Sequence, residues 1–251
     1  MNAVRRQLRI RELLGGSEFV DLETLCRELQ TSESTVRRDL IALENRRVLK
    51  RVHGGALSLH TNNHSLDYAW QSTRRSDEKQ RIAAEAANLV EDGQTVILDG
   101  GSTVAAVARE LVNRSINVIT NSLAIAEILK DARQIELTLT GGYLYPRLEV
   151  MLGPVCEHSL SGVAADILIM GIGGVTENGL TNNNTLLVGS ERKMIEVSRK
   201  VMVVADSSKF GHAAMVPVAP LDTVDIVVTD SGLPSEFHDL LERHDIEVRL
   251  V

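Results

Sequence analysis

Short apolar runs alternate with helical patterns along most of this 251-residue chain, and this alternation restricts the fold more than any other feature. Stretches with apolar residues at helical spacing separate six runs that have the aliphatic character of buried strands. The six runs cover residues 95–98, 117–119, 136–139, 166–170, 201–205 and 225–228. Strands joined by helices form parallel sheets, because a parallel pair needs a long crossover connection. The sequence therefore predicts an open, mostly parallel α/β domain over residues 76–251.

Small and polar residues follow the predicted strands, at the edge where open α/β folds collect their ligands. The first such segment precedes a predicted helix, and the backbone N–H groups at a helix N-terminus attract anions such as phosphate. Hydroxyl and amide groups after the other strands suit the hydroxyls of a sugar. Each glycine pair alone is more often an ordinary turn, so the shared placement carries the prediction. The candidate ligand-binding residues are Asp99, Gly100, Gly101, Ser102, Thr103, Thr120, Asn121, Gly141, Gly142, Gly171 and Lys209.

The first sixty residues show the pattern of three short helices followed by a hairpin. A helix over residues 4–14 ends at a glycine pair, Asp21 caps a second helix, and Ser32 caps a third. A basic run at 48–56 contains a glycine pair that permits a tight bend, as in a wing. The residues predicted to face inward are Leu22, Leu25, Cys26, Leu29, Val36, Leu40 and Leu43, and those predicted to be polar-facing on the third helix are Thr35, Arg37, Arg38 and Asp39. The pattern predicts a winged helix-turn-helix domain over residues 1–59.

The third helix has the residues that a DNA-reading helix needs. Arginine can donate two hydrogen bonds to guanine in the major groove, and hydroxyls near the helix start suit phosphate oxygens. An isolated arginine pair is more often a solvated helix face, but here the cap, the turn, the apolar spacing and the basic wing occur in the right order. The candidate DNA-binding residues are Ser32, Ser34, Thr35, Arg37 and Arg38 on the helix, with Lys50, Arg51 and His53 on the wing.

The two ends of the chain differ in charge. The formal net charge is −7, yet residues 1–60 contain 11 basic and 8 acidic side chains, whereas residues 61–251 contain 16 and 26. The basic N-terminal segment can approach DNA phosphates, while the acidic remainder of the chain keeps the molecule from binding random DNA. The polar, aperiodic stretch at 60–75 is interpreted as the linker between them.

Several classes of protein do not fit the sequence. No apolar run approaches the roughly 20 residues that cross a bilayer, and the basic N-terminus lacks the hydrophobic stretch of a secretory signal. Cys26 and Cys156 have neither a metal-ligand nor a disulfide-framework spacing. The prediction is a cytoplasmic protein with no cofactor, no metal site and no membrane partner.

The motifs, taken together, resemble the DeoR family of bacterial sugar-metabolism regulators. The resemblance is carried by residues 32–40 and 51–56, and it continues through 98–103, 120–122, 140–142, 205–210 and 228–230, so it covers nearly the whole chain. It implies a winged helix-turn-helix domain followed by an effector domain similar in fold to ribose-5-phosphate isomerase. It also implies a repressor, assembled as a homodimer or homotetramer, that binds a double-stranded DNA operator and responds to a sugar phosphate.

Two rival interpretations remain at this point. A sugar-phosphate isomerase or deaminase with a DNA-binding head would need a placed general base, but the glycine-rich segment 171–175 has no acid where the enzymes have one. Asp99 offers an alternative base, and Glu177 lies close but in a predicted surface turn. A purely structural DNA-bridging protein would leave the ligand crevice unused.

One position departs from the family pattern. DeoR-like sequences often have a lysine three residues before the position of Met194, where this chain has Glu191. A cationic wall of the pocket is therefore absent at that point, and a different acid or an unphosphorylated polyol stays open as the effector.

Overall fold

The chain packs as two units, residues 1–70 and 71–251, in a computed structural model. The structure describes residues 3–15, 19–46, 48–52, 54–58 and 68–251. Within these ranges, no helix combines the length and the apolar character needed to cross a membrane.

The N-terminal unit contains three helices and a small antiparallel sheet. Its elements are α1 (Ala3–Gly15), β1 (Phe19–Asp21), α2 (Leu22–Leu29), α3 (Glu33–Asn45), β2 (Leu49–Val52) and β3 (Gly55–Ser58). The strands pair in the order β1-β3-β2. Asp21 caps α2 by accepting a hydrogen bond from the Thr24 amide at 2.7 Å, and Ser32 occupies the N-cap position of α3. The predicted helix-turn-helix and its hairpin wing are confirmed, and strand β1 is an addition that the sequence pattern did not reveal.

The core of this unit confirms the inward-facing residues of α3 and corrects one outward-facing residue. Val36, Leu40 and Leu43 are buried as predicted. Asp39, predicted to be polar-facing, is instead buried: Arg6 Nε on α1 donates to Asp39 Oδ2 at 2.7 Å. The prediction failed because the partner lies 33 residues away in sequence, where helical periodicity gives no signal.

The second unit is an α/β domain. Its helices are α4 (Tyr68–Gln71, at the boundary), α5 (Ser76–Asn88), α6 (Ser102–Leu111), α7 (Leu123–Leu129), α8 (Pro154–Leu160), α9 (Thr185–Glu196) and α10 (Ser235–Arg243). Its strands are β4 (Thr95–Leu98), β5 (Asn117–Thr120), β6 (Glu136–Leu139), β7 (Tyr143–Tyr145), β8 (Val150–Leu152), β9 (Ile167–Met170), β10 (Gly174–Thr176), β11 (Gly179–Asn182), β12 (Val201–Val204), β13 (Val216–Ala219), β14 (Ile226–Thr229) and β15 (Glu247–Leu250).

Seven strands form one parallel sheet in the order β15-β14-β12-β9-β4-β5-β6. The six strands predicted from the sequence are all in it, which confirms the mostly parallel α/β fold. The chain order runs outward in one direction from β4 through β6 and in the other from β9 through β15. The sheet therefore has a topological switch point between β4 and β9, the place where open α/β sheets bind ligands beyond their carboxyl ends.

Two layers cover the sheet. On one face, Ile97 of β4 packs in a cluster with Cys156 of α8 and Val188 of α9. On the other face, α5 and α6 pack against each other, and α5 also contacts β12 and β14. Side chains alternate along a strand, so Asp99, two positions beyond Ile97, lies on the same face as Ile97, which is the face that α9 covers.

Two smaller sheets lie outside the parallel one. Strands β7 and β8 form an antiparallel hairpin, and β10, β11 and β13 form a three-stranded antiparallel sheet. Glu177 lies exposed in the turn between β10 and β11, as predicted. These additions bring more chain over the carboxyl ends of the sheet than the sequence pattern indicated.

Candidate functional sites

The start of α3 presents hydroxyl and guanidinium groups to solvent. Ser32, Ser34, Arg37 and Arg38 are exposed and Thr35 is half-buried. The Ser32 hydroxyl lies 3.1 Å from that of Ser34 and 3.0 Å from that of Thr35. These hydroxyls form one polar cluster at the N-terminus of the helix, where a phosphate is favoured by the helix dipole.

The two arginines of α3 differ in what they contact. Arg37 makes an ion pair with Glu33 one turn earlier, at 2.6 Å between Nη2 and Oε1. Arg38 donates from Nε to the Ser34 carbonyl at 3.3 Å. Both contacts lie within one exposed helix face, and an exposed ion pair of this type contributes at most about 1 kcal/mol. Both side chains can therefore give up these contacts at small cost.

The wing is the hairpin of β2 and β3. Lys50 and Arg51 are exposed on β2, and His53 lies outside the described residues. Arg51 is held by Glu44 of α3, which accepts from the Arg51 amide at 2.9 Å and from its Nε at 2.6 Å. The same contacts lower the pKa of Glu44. Arg51 thereby ties the wing to α3.

The loops after β4 and β9 lie side by side at the switch point of the parallel sheet. An ideal Cβ placed on Gly171 would lie 3.9 Å from the carbonyl oxygen of Gly100. The Asp99 amide donates to the Ile169 carbonyl at 3.1 Å. Helix α6 begins at Ser102, with Gly101 at its N-cap position and Thr103 half-buried in its first turn. Residues 99–103 and Gly171 are therefore brought together, as their positions in the sequence predicted.

Strand β8 packs on top of the β4 and β5 loops. A Cβ on Gly100 would lie 2.3 Å from Cγ1 of Val150, so only glycine fits there. The Met151 amide donates to the Asn121 carbonyl at 2.7 Å, and Asn121 Nδ2 donates to the Met151 carbonyl at 3.2 Å. Hairpin β7–β8 thus covers part of the predicted crevice.

Two of the predicted ligand residues, Thr120 and Gly142, have close contacts within the fold. Thr120 is fully buried, and its hydroxyl donates to the Leu98 carbonyl at 2.7 Å and accepts from the Ser122 amide at 3.0 Å. Gly141 and Gly142 are exposed at the end of β6, and Gly142 has φ +133 with a built Cβ only 2.6 Å from the Leu152 carbonyl oxygen. That glycine lets β8 approach closely.

Basic side chains gather on the α5 face near the start of α6. Lys79 of α5 is buried and donates from Nζ to the Ser102 hydroxyl at 2.9 Å and to the Gln71 carbonyl. Burial lowers the pKa of Lys79 to about 8, the nearby Asp206 carboxylate counteracts this, and Lys209, Arg74 and Arg75 lower it further. We call Lys79, Lys209, Arg74 and Arg75 the basic cluster. A cavity of about 170 Å³ beside it is lined by Ser72, Ser76, Lys79, Gln80, Ser102, Ala106, Arg109 and Glu110.

The loop after β12 places Lys209 in this cluster. Asp206 Oδ1 accepts from the Ser208 amide at 3.1 Å, and Asp230 Oδ2 accepts from the Ser207 amide at 2.7 Å. Arg75 Nε lies 3.6 Å from Asp206 Oδ1. Burial lowers the pKa of the half-buried Lys209, and Asp206 counteracts it. Two aspartates thus shape the loop, and Lys79, Lys209 and Arg75 interact with Asp206.

A pair of buried carboxyl groups lies on the opposite, α9 face. Asp99 is 2% exposed and Glu191 is fully buried, and Glu191 Oε1 accepts from Asn182 Nδ2 at 2.6 Å. Burial raises the pKa of Asp99 to about 7. Burial, with the adjacent Asp99 carboxyl second, raises the pKa of Glu191 well above its ordinary value. Two carboxyl groups this close cannot both ionise without a large cost.

The carboxyl pair predicts an unusual pH dependence of stability. A raised folded-state pKa favours folding at low pH, and this contribution is lost as the pH rises from about 4 through about 7. Glu191→Gln keeps the shape and removes one charge, so at pH 8 it should be more stable than the parent protein by about 1 kcal/mol or more. Urea denaturation followed by circular dichroism at pH 5 and pH 8 measures the difference. Glu136→Gln, at an exposed position of β6, is the control, and equal pH slopes in all three proteins would contradict the prediction.

Several site residues were missed by sequence reasoning. Lys79, Arg74, Arg75 and Asp206 form or surround the basic cluster, and Asn182 holds Glu191. Asp206 lies in segment 205–210, which carries part of the family resemblance, so its position after a strand was a usable signal. The sequence gives no such signal for Lys79, Arg74, Arg75 or Asn182. A single lysine in a helical pattern, for example, is typical of a solvated face.

Comparison with known proteins agrees with both units. A family model described as the DeoR-like helix-turn-helix domain matches residues 6–62, and one described as the DeoR C terminal sensor domain matches residues 74–231. The HTH-type transcriptional repressor GlcR of Bacillus subtilis (strain 168) is 34% identical over 97% of this chain and 94% of its own. The Glycerol-3-phosphate regulon repressor of Escherichia coli (strain K12) is 33% identical over the full length of both.

A solved structure resembles the chain more distantly. The structure of ribose 5-phosphate isomerase A from Methanocaldococcus jannaschii has a TM-score of 0.40 and 24% identity, and the match covers 54% of each chain.

A winged helix-turn-helix unit joined to a sensor unit with a parallel α/β sheet defines a DNA-binding transcription regulator. Both family models match in chain order, and relatives above 30% identity extend over nearly the entire length. The chain belongs to the DeoR family.

Proposed function

We propose that this DeoR-family regulator is a repressor of a carbohydrate-metabolism operon, and that it works in the cytoplasm as a homodimer or homotetramer. In this proposal, α3 and the wing bind the operator, with Arg37 and Arg38 reading bases and Ser32, Ser34, Thr35 and Lys50 contacting phosphates. The names of relatives such as the Glycerol-3-phosphate regulon repressor support this direction of control.

We further propose that the effector carries a phosphate and that the basic cluster binds it. The supporting observation is the buried Lys79, which donates to Ser102 at the first position of α6. An ammonium has three N–H donors, and two are engaged by Ser102 and Gln71. The third N–H, the helix N-terminus and Lys209 together can bind an anion. The basic cluster thus supplies positive charge from the α5 face. On the α9 face this chain has Glu191 where DeoR-like sequences often have a lysine.

Fluorescence anisotropy on the region upstream of the chain's own gene tests the proposal. Binding to this DNA should weaken steeply as the salt concentration rises. A phosphorylated sugar should lower the affinity for DNA by about 5- to 150-fold, and DNA should lower the affinity for the sugar by the same factor. A scrambled duplex of equal length is the control. Binding that does not depend on sequence, or that no phosphosugar changes, would contradict the proposal.

Lys79 gives the anion site a pH signature. The anion binds the charged lysine, and the pKa of Lys79 is about 8 before binding. Affinity for inorganic phosphate should therefore fall as the pH rises from about 8 to 10, by up to about tenfold per unit. Isothermal titration in two buffers of different ionisation enthalpy should show proton uptake at pH 8. An affinity that stays constant over this range would exclude Lys79 from the site.

Catalysis is the rival function, and we propose that this unit binds without turnover. The acid that isomerases have after the central strand is absent from segment 171–175. Asp99, the alternative base, is buried beside Glu191, and its raised pKa keeps it largely protonated below pH 7. Incubation with phosphosugars should yield neither ketose nor ammonia, and either product would restore the enzyme interpretation.

A further inference from the structure

Two buried acceptor oxygens belong to residues that follow the ends of β4 and β5, and a third belongs to Glu191 of α9, which interacts electrostatically with the first of these residues. They are Asp99 Oδ1, Glu191 Oε2 and Asn121 Oδ1, and none has a hydrogen-bond partner among the residues that the structure describes. Asp99 and Asn121 follow directly paired strand ends, Leu98 opposite Thr120. Buried polar atoms are nearly always paired, so these three unpaired acceptors call for a donor.

The orientations of Asn121 and Glu191 are set by their other contacts. Asn121 donates from Nδ2 to the Met151 carbonyl, which fixes the amide and leaves Oδ1 on the side of Gly100, 3.9 Å from an ideal Cβ there. Glu191 uses Oε1 for Asn182 and leaves Oε2 unpaired. Asn121 Oδ1 and Glu191 Oε2 are therefore held in place, and Asp99 joins them as a third acceptor when it is ionised, as in a preformed binding site.

Among the described residues, no basic side chain acts on the pKa of Asp99 or Glu191. The groups that act on Glu191 are Asp99 and Asn182, and the group that acts on Asp99 is the Gly100 amide. Lys79, Lys209 and Arg75 interact with Asp206 on the α5 face. The crevice thus has a basic side and an acidic side across the strand ends, and a ligand that suits both carries opposite charges at its two ends.

We propose that Asp99, Glu191 and Asn121 bind a primary ammonium group of the effector, which makes the effector an amino-substituted sugar phosphate. The inference rests on the proposed function, because the phosphate end is assigned to the basic cluster. An ammonium has three donors for the three acceptors, and its charge offsets the cost of ionising both carboxyl groups. A neutral hydroxyl supplies one donor and no charge.

Matched pairs of ligands test the ammonium site directly. Isothermal titration on the full-length protein, with EDTA present, compares glucosamine 6-phosphate with glucose 6-phosphate and galactosamine 6-phosphate with galactose 6-phosphate. In at least one pair the amino sugar should bind about tenfold or more tightly, as expected for charge-assisted hydrogen bonds. Glu191→Gln should reduce this preference to about threefold or less while retaining affinity for the hydroxyl sugar. Glu136→Gln is the matched control and should keep the preference.

The outcomes separate this inference from the proposed function. If phosphosugars bind but amino and hydroxyl forms bind equally, or if Glu191→Gln leaves the preference intact, the ammonium site is wrong and the phosphate site stands. If no phosphosugar and no inorganic phosphate binds, both are wrong. A preference that appears only with added Mg²⁺ in place of EDTA would mean a metal site and would also overturn the inference. Should Glu191→Gln fail to fold by circular dichroism, Asp99→Asn applies the same test.

Discussion

Replacing Arg37 and Arg38 together with alanine should abolish operator selectivity and leave the protein folded. Both side chains are exposed on α3, and their contacts with Glu33 and the Ser34 carbonyl are local to that helix. Each arginine that binds a guanine contributes about 1–3 kcal/mol of discrimination, so the double variant should lose at least about 30-fold in the ratio of specific to random binding. Fluorescence anisotropy on operator and scrambled duplexes measures this ratio.

Two controls make the arginine result specific. Lys50→Ala, on the wing, should weaken binding to both duplexes by a similar factor and reduce the salt slope by about one, because a phosphate contact does not distinguish sequences. Arg243→Ala, on α10 of the sensor unit, should change neither. If the double arginine variant keeps the selectivity of the parent, α3 does not read the operator through these residues.

Lys79→Met should produce a repressor that no longer responds to its effector. Methionine fills much of the same buried space but cannot donate to Ser102 or to an anion. Loss of a charge-assisted hydrogen bond costs about 1.5–3 kcal/mol, so affinity for inorganic phosphate and for phosphosugars should fall by roughly 10- to 150-fold. DNA binding without effector should stay unchanged. Calorimetry for the ligand and anisotropy for DNA release give the two readouts.

The matched control for this variant is Lys130→Met. Lys130 lies on the surface, paired with Glu127 at 2.7 Å, and its removal should leave both readouts as they are. If Lys79→Met releases DNA at the same effector concentration as the parent protein, the basic cluster is not the phosphate site.

The sequence predicted the local elements well because their signals are local. Strand β4 begins and ends at the predicted residues, and the other five predicted strands agree within one residue at each end. The N-cap at Asp21 and the buried stripe of Val36, Leu40 and Leu43 follow from spacings of three to seven residues. Strand β15 was missed because Glu247 and Arg249 give it the polar pattern of an edge strand.

The ligand site was only half predictable. Motif residues after strands, such as Asp99 and Asn121, were found because the carboxyl ends of parallel strands share one edge of a sheet. Lys79 and Arg75 were not, since they contact Ser102 and Ser207 across separations of 23 and 132 residues. The hydrogen bond of Thr120 was not predictable either, because only the folded sheet brings its hydroxyl to the Leu98 carbonyl.

By itself, the sequence determined the two-unit architecture, the family and the exposed arginines of α3, because apolar periodicity and capping act over a few residues. Only the tertiary structure decided which charges are buried and beside what: Asp39 with Arg6, Lys79 with Ser102, and Asp99 with Glu191. The physical reason is that the protonation and ligand preference of a buried group depend on its neighbours in space, and chain folding brings those neighbours from distant positions.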